Sequence, residues 1–188
     1  MSYSLMDIDP AIAKALGFPK PAYTVVERER RWLCREVPRE LIARTETIVD
    51  LYVTGTQLRL REARLHEARL LEGVPAMLRL SRKADVDAHT RLITSIYLPE
   101  NEFAVLAAAL PGRRIRKIRH RLKAPPGVVL SADEFQGELS GLRMVEAEFD
   151  TDERMAAFAI PDFAIREVTD DPRFGGGHLV ANGLPDGL

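Results

Sequence analysis

The sequence predicts a mostly antiparallel α+β fold, with at least seven short strands, two interposed helices and a sheet closed into a barrel. Three observations lead there. Strand-like runs recur at short intervals, bounded by Pro, Gly and polar turn residues. Two stretches carry helix-start residues and helical spacing. Several strand-like runs put charge on a single phase, sorted by sign, which an enclosed sheet face would explain.

Residues 1–22 read as a leader, with Asp9-Pro10 starting a short helix through Leu16 that Gly17 and Pro19 end. Residues 23–188 then form one domain. Thr24 to Leu33 reads as its first strand. Pro38 predicts a helix to about Thr45, since proline suits the first helical position. Thr47 to Val53 and Gln57 to Glu62 form a hairpin around Thr54-Gly55. Residues 62–75 are a charged, helix-like connector to the strand Ala76–Lys83. Arg91 to Leu98 is the next strand. A helix follows from Pro99 to about Leu110, with Phe103, Leu106, Ala107 and Leu110 at helical spacing. Three strands come next: Arg114–Leu122, Val128–Phe135 and Leu142–Phe149. The tail from Thr151 reads as turns and short helices.

Composition narrows the function classes. At 188 residues and 46 % hydrophobic content, the chain can bury the core of a single domain. The balance of 27 basic and 28 acidic residues argues against a nucleic-acid groove, even with the basic run Arg113–Lys123, and against an acidic membrane face. Cys34 is alone, so neither an internal disulfide nor a cysteine zinc site is expected. No apolar run reaches the roughly 20 residues of a spanning helix. The segment MSYSLMDIDP lacks the shape of a signal peptide, which predicts a cytoplasmic protein. His66, His89, His120 and His178 have no metal-ligand spacing. Gly175-Gly176-Gly177 lacks the Lys-Ser/Thr of a phosphate loop. Trp32 and Phe149 read as core.

The charge strings carry the functional signal. Side chains two apart on a strand share a face. Glu27, Glu29 and Arg31 share one phase. Arg59 and Arg61 lie opposite Leu58 and Leu60, and Arg79 and Lys83 opposite Leu78 and Leu80. Lys117, Arg119 and Arg121 share a phase, as do Glu146 and Glu148. Clustering like charges costs stability. It makes sense where a polyanion and a divalent cation bind, with guanidinium groups on phosphate oxygens and carboxylates on Mg²⁺ or Mn²⁺. That chemistry fits a di- or triphosphate.

These residues resemble a known family. Glu27-Arg28-Glu29-Arg30-Arg31 is similar to the E-x-E-x-K signature of the CYTH superfamily, the triphosphate tunnel metalloenzymes. The later pieces follow in the family's order. They are Ile48 to Tyr52, Leu58-Arg59-Leu60-Arg61 and Ile115-Arg116-Lys117-Ile118-Arg119. Then come Asp133-Glu134-Phe135, Gly141-Leu142, Glu146-Ala147-Glu148-Phe149, and Arg166 to Phe174. The resemblance spans about residues 24 to 183.

The resemblance implies an eight-stranded antiparallel barrel, a triphosphate tunnel, with a few peripheral helices. It implies hydrolysis of inorganic tripolyphosphate, thiamine triphosphate or RNA 5′-triphosphate ends, or adenylate cyclase activity. Metal-dependent hydrolysis of tripolyphosphate is the leading expectation. A non-catalytic phosphate or polyphosphate-binding module and a cyclase are the alternatives. Carried over by residue, Glu27, Glu29 and Glu148 would be catalytic. Glu27, Glu29, Asp133, Glu146 and Glu148 would hold Mg²⁺ or Mn²⁺. Arg31, Arg59, Arg61, Arg79, Lys83, Lys117 and Arg119 would grip phosphate. Tyr52 would touch substrate or pack in the barrel. The partner would be a triphosphate-containing small molecule, without membrane or nucleic acid, and a homodimer is plausible for such a barrel. The chain departs from the family pattern at three places. Arg31 replaces lysine. Ile93 and Ser95 stand where paired glutamates are common, which leaves a second metal site two carboxylates short. Ser81 stands near a family lysine, so that Arg79 or Lys83 must serve. Thr94 to Leu98 resembles a run found in one branch of the family.

Overall fold

The computed structural model describes residues 8–18, 23–66 and 75–187. Nine strands form one antiparallel sheet: β1 (Val25–Cys34), β2 (Ile42–Val53), β3 (Leu58–Leu65), β4 (Met77–Asp85), β5 (Thr90–Tyr97), β6 (Gly112–Leu122), β7 (Val128–Phe135), β8 (Arg143–Phe149) and β9 (Ala164–Glu167). Their order is β5-β4-β3-β2-β6-β7-β8-β1-β9, and β1 also pairs with β5. Eight strands therefore close into the expected barrel. The seam runs from Val25 opposite Ile93 to Arg28 opposite Thr90. β9 lies outside the circle. It pairs with the end of β1, Trp32 opposite Glu167, along the edge that β5 leaves at Arg28. Four helices sit on the barrel: α1 (Pro10–Ala15), α2 (Glu100–Ala109), α3 (Asp152–Ala157) and α4 (Gly176–Asn182).

The apolar residues of this barrel pack largely outside it. Strand alternation sends Trp32, Leu130, Ala132, Val145, Ala147 and Phe149 to the outer face, under Met155 and Phe158 near α3 and Phe163 before β9. Phe149 meets Phe158 edge-on, with ring centroids 5.2 Å apart. A second outer cluster joins Val26, Ala84 and Leu92 to Ala13 and Phe18 of the α1 segment. The third cluster stops one end of the barrel. Leu33, Ile115, Phe135 and Met144 meet Phe174 and Leu179 there. The middle of the barrel is thereby left to polar side chains.

Several expectations change in the structure. The helix expected from Pro38 to Thr45 is a single 3₁₀ turn, Arg39–Leu41, followed by β2. β6 overrides the local signal, because Ile42 pairs with Leu122 and Thr45 with His120. The charged connector begins as strand, since β3 runs to Leu65 opposite Glu46; residues 67–74 lie outside the described residues. The leader helix forms, capped by the Asp9 carboxylate on the Ala11 amide at 2.7 Å. The Ala13 and Phe18 contacts tie it to the barrel, while residues 1–7 and 19–22 lie outside the described residues. Helix α2 has the expected extent, and its stripe of Phe103, Leu106 and Ala107 is half-buried. The Thr54-Gly55 turn is present, with Gly55 at φ +72°, a conformation glycine favours. β9 is new. No helix among the described residues is long and apolar enough to cross a membrane.

An outer core predicts where stability resides. Phe149→Ala should lower the unfolding free energy by about 3–5 kcal/mol in urea titrations. Ile96→Ala, at a side chain 53 % exposed, should change it by less than about 0.5 kcal/mol.

Candidate active site

The charge strings converge inside the barrel. One cavity is lined by Glu27, Glu29 and Arg31 of β1, Arg59 and Arg61 of β3, and Arg79 and Lys83 of β4. Lys117, Arg119 and Arg121 of β6 and Glu146 and Glu148 of β8 complete it. The structure thus brings together eleven of the twelve residues singled out from sequence, together with Arg121. Asp133 is the exception. It is fully buried behind the wall and accepts from Arg119 Nε at 2.7 Å and Nη2 at 2.6 Å, and also from Lys117. It anchors two cations and does not line the cavity.

Three further polar residues line it: Asp50 and Tyr52 of β2, and Arg91 of β5. Asp50 accepts Arg61 Nε at 2.7 Å and Nη2 at 2.6 Å, with Arg59 Nε at 3.6 Å. Burial alone would raise Asp50, but Arg59 and Arg61 hold it well below the usual carboxylate range. Asp50 orients this pair as Asp133 orients the other.

The basic wall retains unused donors. Arg59 has Nε and Nη2 buried without hydrogen-bond partners, and Arg79 has Nε in the same state. Burial, then Arg61 and Arg59, push Arg79 down to about 10. Buried donors left open are costly. Anionic oxygens of a ligand would satisfy them.

The acidic corner is uneven. Glu27 and Glu29 follow one phase of β1, and Glu148 lies directly opposite Glu29 on β8. Burial would raise Glu27, but Lys83 and Arg91 hold it below its ordinary value. Glu146 is likewise kept low by Arg119 and Lys117. Burial pushes Glu29 up to about 7 despite Arg91, with Glu27 and Glu146 adding repulsion. Burial and Glu27 also raise Glu148. Glu29 Oε1 is buried without a properly aligned hydrogen bond, although Arg91 Nη2 lies 3.0 Å away. Two opposed oxygen-donor groups, both resisting ionisation, fit a hard divalent cation. Among the described residues no three Asp, Glu, His or Cys side chains group closely enough to form a complete metal site. Substrate oxygens would have to supply the remaining ligands.

The two ends differ. Ile115, Phe135, Met144, Phe174 and Leu179 form the apolar end of the cavity. Arg31 ties that end down, donating to the carbonyls of Thr169 and Phe174 at 3.3 Å. Gly176 has no room for a side chain, because a Cβ there would lie 2.0 Å from the Tyr52 hydroxyl. At the other end Glu27, Arg79 and Glu148 also line a second cavity, with Tyr23, Val25, Ile93, Ser95 and Tyr97 around it.

No protein-family profile matches the chain. The inorganic triphosphatase of Nitrosomonas europaea is 38 % identical over 79 residues, which are 42 % of this chain and 52 % of that protein. The inorganic triphosphatase of Acetivibrio thermocellus is 41 % identical over 68 residues, 36 % of this chain and 42 % of the relative. The chain therefore spans about half the length of these relatives, or less. The crystal structure of the inorganic triphosphatase NE1496 superimposes with a TM-score of 0.53 at 26 % identity, covering 82 % of this chain and 93 % of that one. The chain shares the barrel fold of that triphosphatase, as the CYTH resemblance implies. The PH1819 protein of Pyrococcus horikoshii, at 20 % identity and a TM-score of 0.54 over 69 % of this chain and 82 % of its own, shares the fold.

Two of the departures from the CYTH pattern are coordinated. Ser81, near the position of a family lysine, lies directly opposite Ser95, which stands for a family glutamate. Their hydroxyls are 2.7 Å apart. A neutral hydrogen-bonded pair thus occupies both positions. The four histidines stay out of the cavity lining; His120 joins Thr45 and Glu134 at 3.0 Å each. Burial raises the Cys34 thiol to about 11.

Two outcomes follow. Asp133→Ala should cost about 3–5 kcal/mol of stability in chemical denaturation, since it strands buried Lys117 and leaves Arg119 with Glu146 alone. Glu29 is raised in the folded state, so its stability contribution is present below the unfolded value near 4.5 and lost as pH rises through about 7. Glu29→Gln should therefore raise the melting temperature of the metal-free protein at pH 8, by on the order of 5 °C. The gain should shrink several-fold at pH 5 and vanish only below the unfolded value, where glutamate is neutral in both states.

Proposed function

We propose that this chain hydrolyses a linear triphosphate, most simply inorganic tripolyphosphate, inside its barrel. One observation carries the reading: the barrel encloses a basic wall with unpartnered guanidinium donors facing an acidic corner. The names of the two curated relatives support it. Arg59, Arg61, Arg79, Lys117 and Arg119 would hold the phosphate oxygens and neutralise charge that builds on them as the P–O–P bond breaks. Glu29 and Glu148 would hold Mg²⁺ or Mn²⁺, with Glu27 beside them. Such an ion would supply Lewis acidity, making phosphorus more electrophilic. A carboxylate of this corner, ionised beside the ion, would take the proton of the attacking water. The attack releases orthophosphate and leaves diphosphate.

A non-catalytic polyphosphate-binding module is the second reading. It is favoured by the lack of a complete metal site among the described residues.

Phosphate release from tripolyphosphate, with Mg²⁺, with Mn²⁺ and with chelator, separates the two. The enzyme reading expects metal-dependent release. It expects Arg59→Ala to weaken substrate binding roughly 10- to 100-fold. It expects Glu148→Gln to lower turnover at least about 100-fold without lowering the melting temperature. Thermal stabilisation by tripolyphosphate without release would establish the binding module. Thiamine triphosphate and ATP in the same assay test the choice of substrate.

A further inference from the structure

The inner face of the barrel changes character toward its open end. Along β5 the inward phase reads Arg91, Ile93, Ser95 and Tyr97, passing from a cation to a neutral wall. Val25 of β1 lies directly opposite Ile93, and Tyr97 lies opposite Arg79 of β4. With Tyr23 these side chains line a cavity of about 370 Å³, within the range of small-molecule sites. It shares Glu27, Arg79 and Glu148 with the charged cavity, so the two adjoin.

This annex is poorly suited to bare phosphate. Tyr97 is 69 % exposed and Val25 39 %. Neither tyrosine of the annex packs on another aromatic ring among the described residues. Ser95 is already hydrogen-bonded to Ser81. A phosphate group charged on all sides gains little from Ile93 and Val25. A flat ring seated there removes apolar surface from water and stacks on an open aromatic face. At the junction Arg79 keeps Nε buried without a partner, placed to hold the phosphate nearest such a ring.

We infer that the cavity at the open end is a subsite for a flat, ring-bearing ester group, seated on Val25, Ile93 and Tyr97. The preferred substrate is then an organic triphosphate, with its phosphates in the charged lumen and its ring in the annex. The inference rests on the triphosphatase reading above and narrows it from a bare triphosphate to an esterified one. Attack of water on the phosphorus farthest from the ring releases orthophosphate and leaves the diphosphate ester. Ile93 and Ser95 acquire a positive role, because carboxylates at those places would put charge against the ring. Glu27 and Glu148 at the junction add attraction for a ring that is itself cationic.

The test compares kcat and KM for tripolyphosphate, methyl triphosphate, ATP and thiamine triphosphate. Methyl triphosphate has the ester without the ring. At least one ring-bearing substrate should show a KM about 10-fold below that of methyl triphosphate. Tyr97→Ala should erase that advantage through KM, and Tyr97→Phe, which keeps the ring, should retain it. The KM for tripolyphosphate should change less than about two-fold in both variants. Preference for thiamine triphosphate would identify a cationic ring and preference for ATP a neutral one, and either supports the inference. Equal KM values with and without a ring, or an advantage that survives Tyr97→Ala, would overturn it and leave the triphosphatase reading intact. If no substrate is hydrolysed, that reading fails. Calorimetric binding of the same four ligands then decides the inference, which stands on a ring advantage lost in Tyr97→Ala and falls without one. Ile93→Ser repeats the comparison if Tyr97→Ala does not fold.

Discussion

Among the described residues, nine cationic side chains line one barrel cavity against five carboxylates, and that imbalance governs the rest of the structure. Charges removed from water are costly unless paired. The protein divides the task. Asp50 and, from behind the wall, Asp133 each clamp two cations and hold them in register. The remaining surplus is left facing the cavity, with open donors on Arg59 and Arg79. A barrel so lined carries surplus positive charge, which a polyanion would neutralise.

Most of this lining was legible because a strand repeats every two residues. A phase that carries like charge twice or three times, as in Arg59-Leu60-Arg61 or Glu146-Ala147-Glu148, announces a shared face without any knowledge of partners. Asp50 and Arg91 escaped for the same reason. Asp50 shares its phase with Ile48 and Tyr52, and Arg91 with Ile93 and Ser95, so neither has a like-charged neighbour two residues away. Their roles come from cross-strand register, which is a long-range property. Asp133 shows the converse. The family resemblance grouped it with the metal ligands, and only pairing with β6 reveals that Lys117 and Arg119 already claim it.

The fold errors have a common cause as well. Pro38 favours a helix start locally, and pairing of Ile42 to Thr45 with β6 overrides it. β9 is four residues long, too short for periodicity to register, and it exists because the end of β1 has an edge beyond the reach of β5. Where a hydrogen-bonding edge is left open by the stagger of a closed sheet, even a weak segment is recruited to it.

The placement of the apolar clusters has a bearing on how such a chain can change over generations. Outer-face packing under α1 and α3, together with the stopper at one end, fixes the barrel's shape with little help from the middle of its lumen. Substitutions there are judged by what they do to a ligand far more than by what they do to the scaffold. Swapping a charged pair for Ser81 and Ser95 is the kind of exchange this permits. The shell acts as a chassis, and the lumen is where exchanges of this kind are tolerated.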